Sequence, residues 1–72
     1  MDIRIKKTKK AIADAFLTIA SQKPIEKITV TDIVKEAQIN KSTFYAHYHD
    51  IYDLMDELRN EAIEMVVSNM HY

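Results

Sequence analysis

The 72-residue sequence has no cysteine, no glycine and a single proline, Pro24. Without cysteine there is no disulfide framework and no thiolate metal site. That fits a reducing cytoplasm, which is where we expect the chain to work. Without glycine there is no glycine-rich phosphate loop, and no nucleophile stands in a recognisable catalytic frame, so an enzyme is not expected. With so few residues that break regular structure, the composition favours helices. No apolar run approaches the ~20 residues that a membrane span needs. The basic start followed by AIADAFLTIA superficially resembles a secretion signal. However, Asp14 interrupts the apolar run, and the apolar residues recur at helical spacing. A chain of this length makes one small domain with a modest core.

Net charge is small but uneven in place. The formal net charge is −1, yet Arg4, Lys6, Lys7, Lys9 and Lys10 stand against Asp2 alone in the first ten residues. Over residues 51–72, Arg59 stands against Asp53, Asp56, Glu57, Glu61 and Glu64. A basic start suits phosphate, and a solvated helix face would look the same by charge alone.

Four helices follow from periodicity and capping, so the expected class is all-α. The first runs over 5–21, where Ile12, Ala15, Phe16, Ile19 and Ala20 form one apolar face that Ile5 extends backward. Pro24 ends it, because the residue before proline disfavours helix, and residues 22–28 form a connector. The second helix starts at the N-cap Thr29, with Asp32 completing a capping box and Ile28 and Ile33 forming a hydrophobic staple. Its buried stripe is Val30, Ile33, Val34 and Ala37. The third helix starts at the N-cap Asn40, with Ile39 stapled to Phe44, and Phe44 and Tyr48 share an inward face. Asp50 caps the fourth, which carries Ile51, Leu54, Met55, Leu58, Ala62, Met65 and Val66 at helical spacing. Met65, Val66 and Met70 have little in this chain to pack against, so this helix is expected to lead into a further domain. A fraying or dimerising end is the alternative.

Thr29 to Tyr48 is thus helix, short turn, helix in twenty residues, the spacing of a helix-turn-helix unit whose second helix enters the DNA major groove. The outward face of that helix carries Lys41, Ser42 and Thr43, the candidates for base edges, because a cation and two short hydroxyls allow close approach. Tyr45 and His47 can donate to phosphate oxygens, and Thr29 and Thr31 stand beside the backbone amides that open the second helix. The amides that open the fourth helix are a further phosphate candidate. Each residue alone is a weak signal. Tyr45 suits an ordinary surface, and His47, His49 and Asp50 suggest a metal. Two His at i and i+2 share no helix face, and with no further ligand no metal or other cofactor is expected.

The stretch ITVTDIVKEAQINKSTFYAHYHDIYDL, residues 28–54, resembles the signature of the TetR family, as does AIADAFLTIA before it. STFYAHY is the most specific part. The resemblance implies a homeodomain-like three-helix head over residues 1–50, with the helix-turn-helix at 29–48. Over residues 51–72 it implies a fourth helix that connects to an effector domain. It also implies a bacterial homodimer that represses from palindromic operators on double-stranded DNA and responds to a small molecule. Carried onto this chain, the recognition positions fall on Lys41, Ser42, Thr43, Tyr45 and His47, with Thr29 at a phosphate. Tyr48 takes the place of an inward aromatic that is usually Phe.

Two departures matter. Gln38 stands where the family commonly has Gly, at a cost if the turn needs positive φ. Ile51 stands where Lys often makes a phosphate contact. Arg4 and Lys6, with Lys7, Lys9 and Lys10, can compensate by reaching the DNA backbone or minor groove. The competing reading is a helical protein-interaction module that uses the apolar stripe of the fourth helix.

Overall fold

In the computed structural model, residues 3–70 are described; Asp2, counted above with the basic segment, lies outside them. Among the described residues there are four α-helices and no strand. They are α1 (Ile3–Ala20), α2 (Val30–Ala37), α3 (Lys41–Tyr45) and α4 (Ile51–Met70), with a 3-10 turn at Ile25–Lys27. The chain therefore has the all-α class read from its periodicity. The first helix begins two residues earlier than expected, and Ile5 is not part of its buried stripe: it is 45% exposed. The apolar period does reach Ile5, but the bundle does not extend far enough to cover that turn.

One core holds the bundle. It contains Ile12, Ala15, Phe16 and Ile19 from α1, Ile28 from the connector and Ile33 and Val34 from α2. Phe44, Tyr48 and Leu54 complete it. Ile51, Met55 and Leu58 of α4 pack partly against it. Both staples close as expected, with Ile28 and Ile33 buried, Phe44 buried and Ile39 half-buried. Neither α2 nor α3 is long enough to be stable alone in water. Their packing and their caps hold them.

The caps are explicit. Thr29 Oγ1 accepts from Asp32 N–H, and Asp32 Oδ2 accepts from Thr29 N–H, both at 3.1 Å, which completes the capping box. Asn40 Oδ1 accepts from Thr43 N–H at 2.8 Å. Asp50 Oδ1 accepts from Asp53 N–H at 2.9 Å, and Asp53 Oδ2 accepts from His49 N–H at 2.8 Å.

The turn between α2 and α3 is a Schellman motif. Ile39 N–H donates to Val34 C=O at 3.0 Å, and Gln38 N–H donates to Lys35 C=O at 3.3 Å. Its geometry places Gln38 at φ 60 and ψ 44, the only non-glycine residue at positive φ among those described. An L-residue pays a steric penalty there that glycine does not.

α4 divides in two. Its first two turns are anchored by Leu54, whereas every described residue from Arg59 onward is exposed. Ile63, Met65, Val66, Val67 and Met70 are all uncovered.

Replacing Gln38 with Gly should raise stability by about 0.5–1 kcal/mol, because relief of the left-handed strain outweighs the added unfolded-chain entropy. Gln38→Val should lower it by about 1 kcal/mol, since a β-branched residue tolerates this conformation worst. Thermal melts of the three chains check both signs.

Candidate nucleic-acid interface

Asn40 organises the reading face. Besides capping Thr43 N–H, its Oδ1 accepts from Ser42 Oγ at 2.7 Å and from Thr43 Oγ1 at 2.9 Å. Lys41 and Ser42 are exposed and Thr43 is half-buried. The three base-edge candidates thus occupy the first turn of α3, with both hydroxyls gathered on one amide oxygen. Asn40 itself was read only as a cap. Its role in setting these hydroxyls follows from the cap geometry, since an oxygen bound by a backbone N–H must accept from any hydroxyl beside it.

The regular part of α3 ends at Tyr45, sooner than the expected continuation to Tyr48. The turn nevertheless continues, with Ala46 N–H bonded to Ser42 C=O and Tyr48 N–H bonded to Phe44 C=O, both at 3.0 Å. Phe44 is fully buried and packs edge-on to Tyr45, ring centroids 5.4 Å apart, leaving the Tyr45 side exposed. His47 is half-buried on the closing turn. Ala46 is exposed one turn after Ser42. It was not singled out in the sequence, where a small apolar residue gives no signal of its own.

At the start of α2, Thr29 and Thr31 are exposed. Thr29 Oγ1 already accepts a bond within the capping box, and its hydroxyl hydrogen remains available to a phosphate oxygen. Asp32 would repel such a phosphate, but Lys23 Nζ lies 2.9 Å from Asp32 Oδ2. This lysine, and next the Thr29 backbone N–H, hold the Asp32 carboxyl below the usual carboxylate range. The start of α4 is different. Asp50 Oδ1 caps the Asp53 N–H and Asp53 Oδ2 takes the His49 N–H just before the helix, which sets two carboxylates beside the amides that the sequence offered as a further phosphate candidate. Ile51, the residue found in place of a family lysine, is half-buried against the core.

Among the basic residues near the start, Lys9 and Lys10 form ion pairs within the protein. Lys10 Nζ pairs with Asp14 Oδ2 at 2.8 Å, and Lys9 Nζ pairs with Glu57 Oε1 at 2.9 Å. Arg4, Lys6 and Lys7 are exposed on the opening turns of α1. α1 has no acidic residue in its first turn, so this cluster sits unfavourably at the positive end of the helix dipole. Phosphate would relieve that strain.

Lys9 and Glu57 belong to a cross-helix group that sequence reading missed. The Tyr48 hydroxyl donates to Glu57 Oε2, and Lys9 Nζ lies 5.4 Å from the centre of the Tyr48 ring. The Tyr48 hydrogen bond, above all, and then Lys9 hold the Glu57 carboxyl below its ordinary range against the opposing effect of burial. Burial, and then Glu57, push the Tyr48 hydroxyl up. The ring was correctly read as core, but its polar tip was not. The partners lie 9 and 48 residues apart in the chain, beyond any local pattern.

A capped two-helix unit with a left-handed turn, a third helix bracing it and a polar face on a buried aromatic anchor define a helix-turn-helix DNA-binding domain. Comparison with known proteins gives the family. Residues 11–58 match the family of bacterial regulatory proteins described as the tetR family, and the chain belongs to it. It is 27% identical over 71 residues to the uncharacterized HTH-type transcriptional regulator YxbF of Bacillus subtilis (strain 168), covering 97% of this chain and 19% of YxbF. It is 30% identical over 66 residues to DhaS, the HTH-type dhaKLM operon transcriptional activator of Lactococcus lactis subsp. lactis (strain IL1403). That likeness covers 90% of this chain and 35% of DhaS. The chain thus spans about a fifth and a third of these relatives. No solved structure matches it. It is a regulator's DNA-binding domain and not an enzyme. No helix among the described residues is long and apolar enough to cross a membrane.

The lowered carboxyls set the direction of acid sensitivity. Asp32 and Glu57 titrate lower in the folded chain than unfolded, so their stabilisation is present above the ordinary carboxylate range of about 4 and is lost as pH falls through the depressed values. Denaturant melts between pH 7 and pH 2 should show stability falling on the acid side. The fall should be shallower in Glu57→Gln, which has no carboxyl to protonate there.

Proposed function

We propose that the chain reads operator DNA by seating α3 in the major groove, with Lys41, Ser42 and Thr43 at base edges. Thr29, Thr31, Tyr45 and His47 contact phosphates, and Arg4 and Lys6 reach the backbone or minor groove from α1. The observation that carries this reading is the division of α3. Phe44 anchors it in the core while Lys41, Ser42 and Tyr45 stand exposed on a capped first turn and its continuation. The exposed Lys6 and Lys7 near an α1 first turn that holds no acidic residue support a phosphate partner on the same grounds.

In this reading, residues 1–50 are the head and residues 51–72 the connecting helix of a longer cytoplasmic regulator. The regulator is a homodimer that places two heads on the two halves of a palindromic operator, one helical turn or a multiple apart. A small-molecule effector acts through a part of the protein outside these 72 residues. The uncovered apolar stripe of α4 and the greater length of the relatives support that arrangement. Repression, the outcome that the family resemblance implies, is our reading of the sign of regulation. DhaS is named as an activator, and a reporter fused to a selected operator decides between the two signs for this protein.

Selection from random-sequence duplexes, followed by affinity measurement on the winner, tests the interface. Tyr45→Ala and His47→Ala should each weaken binding about tenfold, the loss of one charge-assisted hydrogen bond, with melting temperatures unchanged. Lys6→Ala should reduce the magnitude of the salt slope by about 0.9, the share of one released counterion. Full affinity in both Tyr45→Ala and His47→Ala would remove them from the interface.

A further inference from the structure

α3 has a mechanical weakness. It is five residues long, and within it only Phe44 is buried. One buried ring sets how deep a short helix sits, but it leaves the helix free to pivot about that ring. The residues that follow, through Tyr48, continue as a turn and do not join another helix directly. A second attachment is needed at this end if Tyr45 and His47 are to meet DNA at a fixed angle.

Tyr48 provides it. Its ring lies in the core, 5.6 Å from the Phe44 ring centre. Its hydroxyl reaches α4 by donating to Glu57, and Glu57 in turn accepts from Lys9 of α1. Lys9 closes the group by standing over the Tyr48 ring. The end of the reading segment is thus tied to both flanking helices through one phenol. Lys6, Lys10, Ala13, Leu58 and Glu61 line the same cleft between α1 and α4.

We propose that the Tyr48 hydroxyl, held by Glu57 and Lys9, is a positioning group that fixes the angle of the Tyr45–His47 segment and so sharpens sequence discrimination. This rests on the reading that Tyr45 and His47 meet DNA. The hydroxyl touches no DNA itself. Its effect falls on how well the base-reading turn and the phosphate contacts are made together. Discrimination needs that agreement, and loose electrostatic association does not.

The test is Tyr48→Phe, which keeps the ring and the net charge and removes only the hydroxyl. The 72-residue chain is titrated with the duplex it selects and with a mixed-sequence duplex, at a temperature where both proteins are fully folded. The ratio of the two affinities should fall about fivefold, the value of one hydrogen bond, while the salt slope stays the same. In the DNA-free protein, the amide resonances of residues 45–48 and those around Glu57 should shift while those of Ile12 and Ile33 hold still. Tyr52→Phe removes an exposed phenol from α4 and should change neither readout. Glu57→Ala should lower the affinity ratio equally, and adding Tyr48→Phe to it should lower it no further.

An unchanged ratio with unmoved amides in Tyr48→Phe overturns the proposal. So does a lower melting temperature with both readouts intact, because that is the mark of a purely structural bond. If the unaltered chain selects no duplex, the DNA reading fails on its own account. The amide shifts then still decide whether the hydroxyl positions the segment.

Discussion

Burial of Phe44 is the constraint on which the DNA-facing half of this protein depends. A helix of five residues cannot sustain itself in water, since the cost of starting a helix exceeds what so few backbone bonds return. Phe44 is fully buried among Ile12, Ile33 and Leu54, and the backbone around it is then free to expose its other side chains. The Asn40 cap, the left-handed turn at Gln38 and the Ile39 staple all act on the same short stretch, delivering Phe44 to the core at one depth and register.

For a DNA-binding domain the chain is slightly acidic, so local compensation has to replace bulk attraction. Three carboxylates are tied to partners. Asp32 is held by Lys23 and its own cap, Glu57 by Tyr48 and Lys9, and Asp14 by Lys10. The pairing of Asp32 with Lys23 offsets its charge beside the start of α2. At α4, Asp50 and Asp53 set two carboxylates at the helix start. In parallel, Lys9 and Lys10 are used inside the protein, while Lys6 and Lys7 stand exposed nearer the opening of α1.

Much of this was legible in the residue order. The caps at Thr29, Asn40 and Asp50 are local signals spanning three residues, and each closes as its spacing indicates. The Gln38 penalty was flagged by the family resemblance, which puts Gly at this position, and the φ of 60 at Gln38 bears out the condition attached to it. Other features were not. Ile5 fits the apolar period of α1 and is exposed, because periodicity describes one helix and not how far its neighbours reach. The early end of regular α3 follows from the pull of Tyr48 into the core, which its spacing from Phe44 suggests but does not measure.

The order of residues by itself determined the all-α class, the capped starts of α2, α3 and α4, the inward aromatics and the polar first turn of α3, because helix capping and amphipathic period are interactions between near neighbours. Only the tertiary structure decided which lysines are paired within the protein, which carboxylates stand beside each helix start, and that the Tyr48 hydroxyl joins Glu57 and Lys9. Those outcomes depend on which helices cross and where. That is set by the joint packing of the core, and no local stretch of sequence carries it.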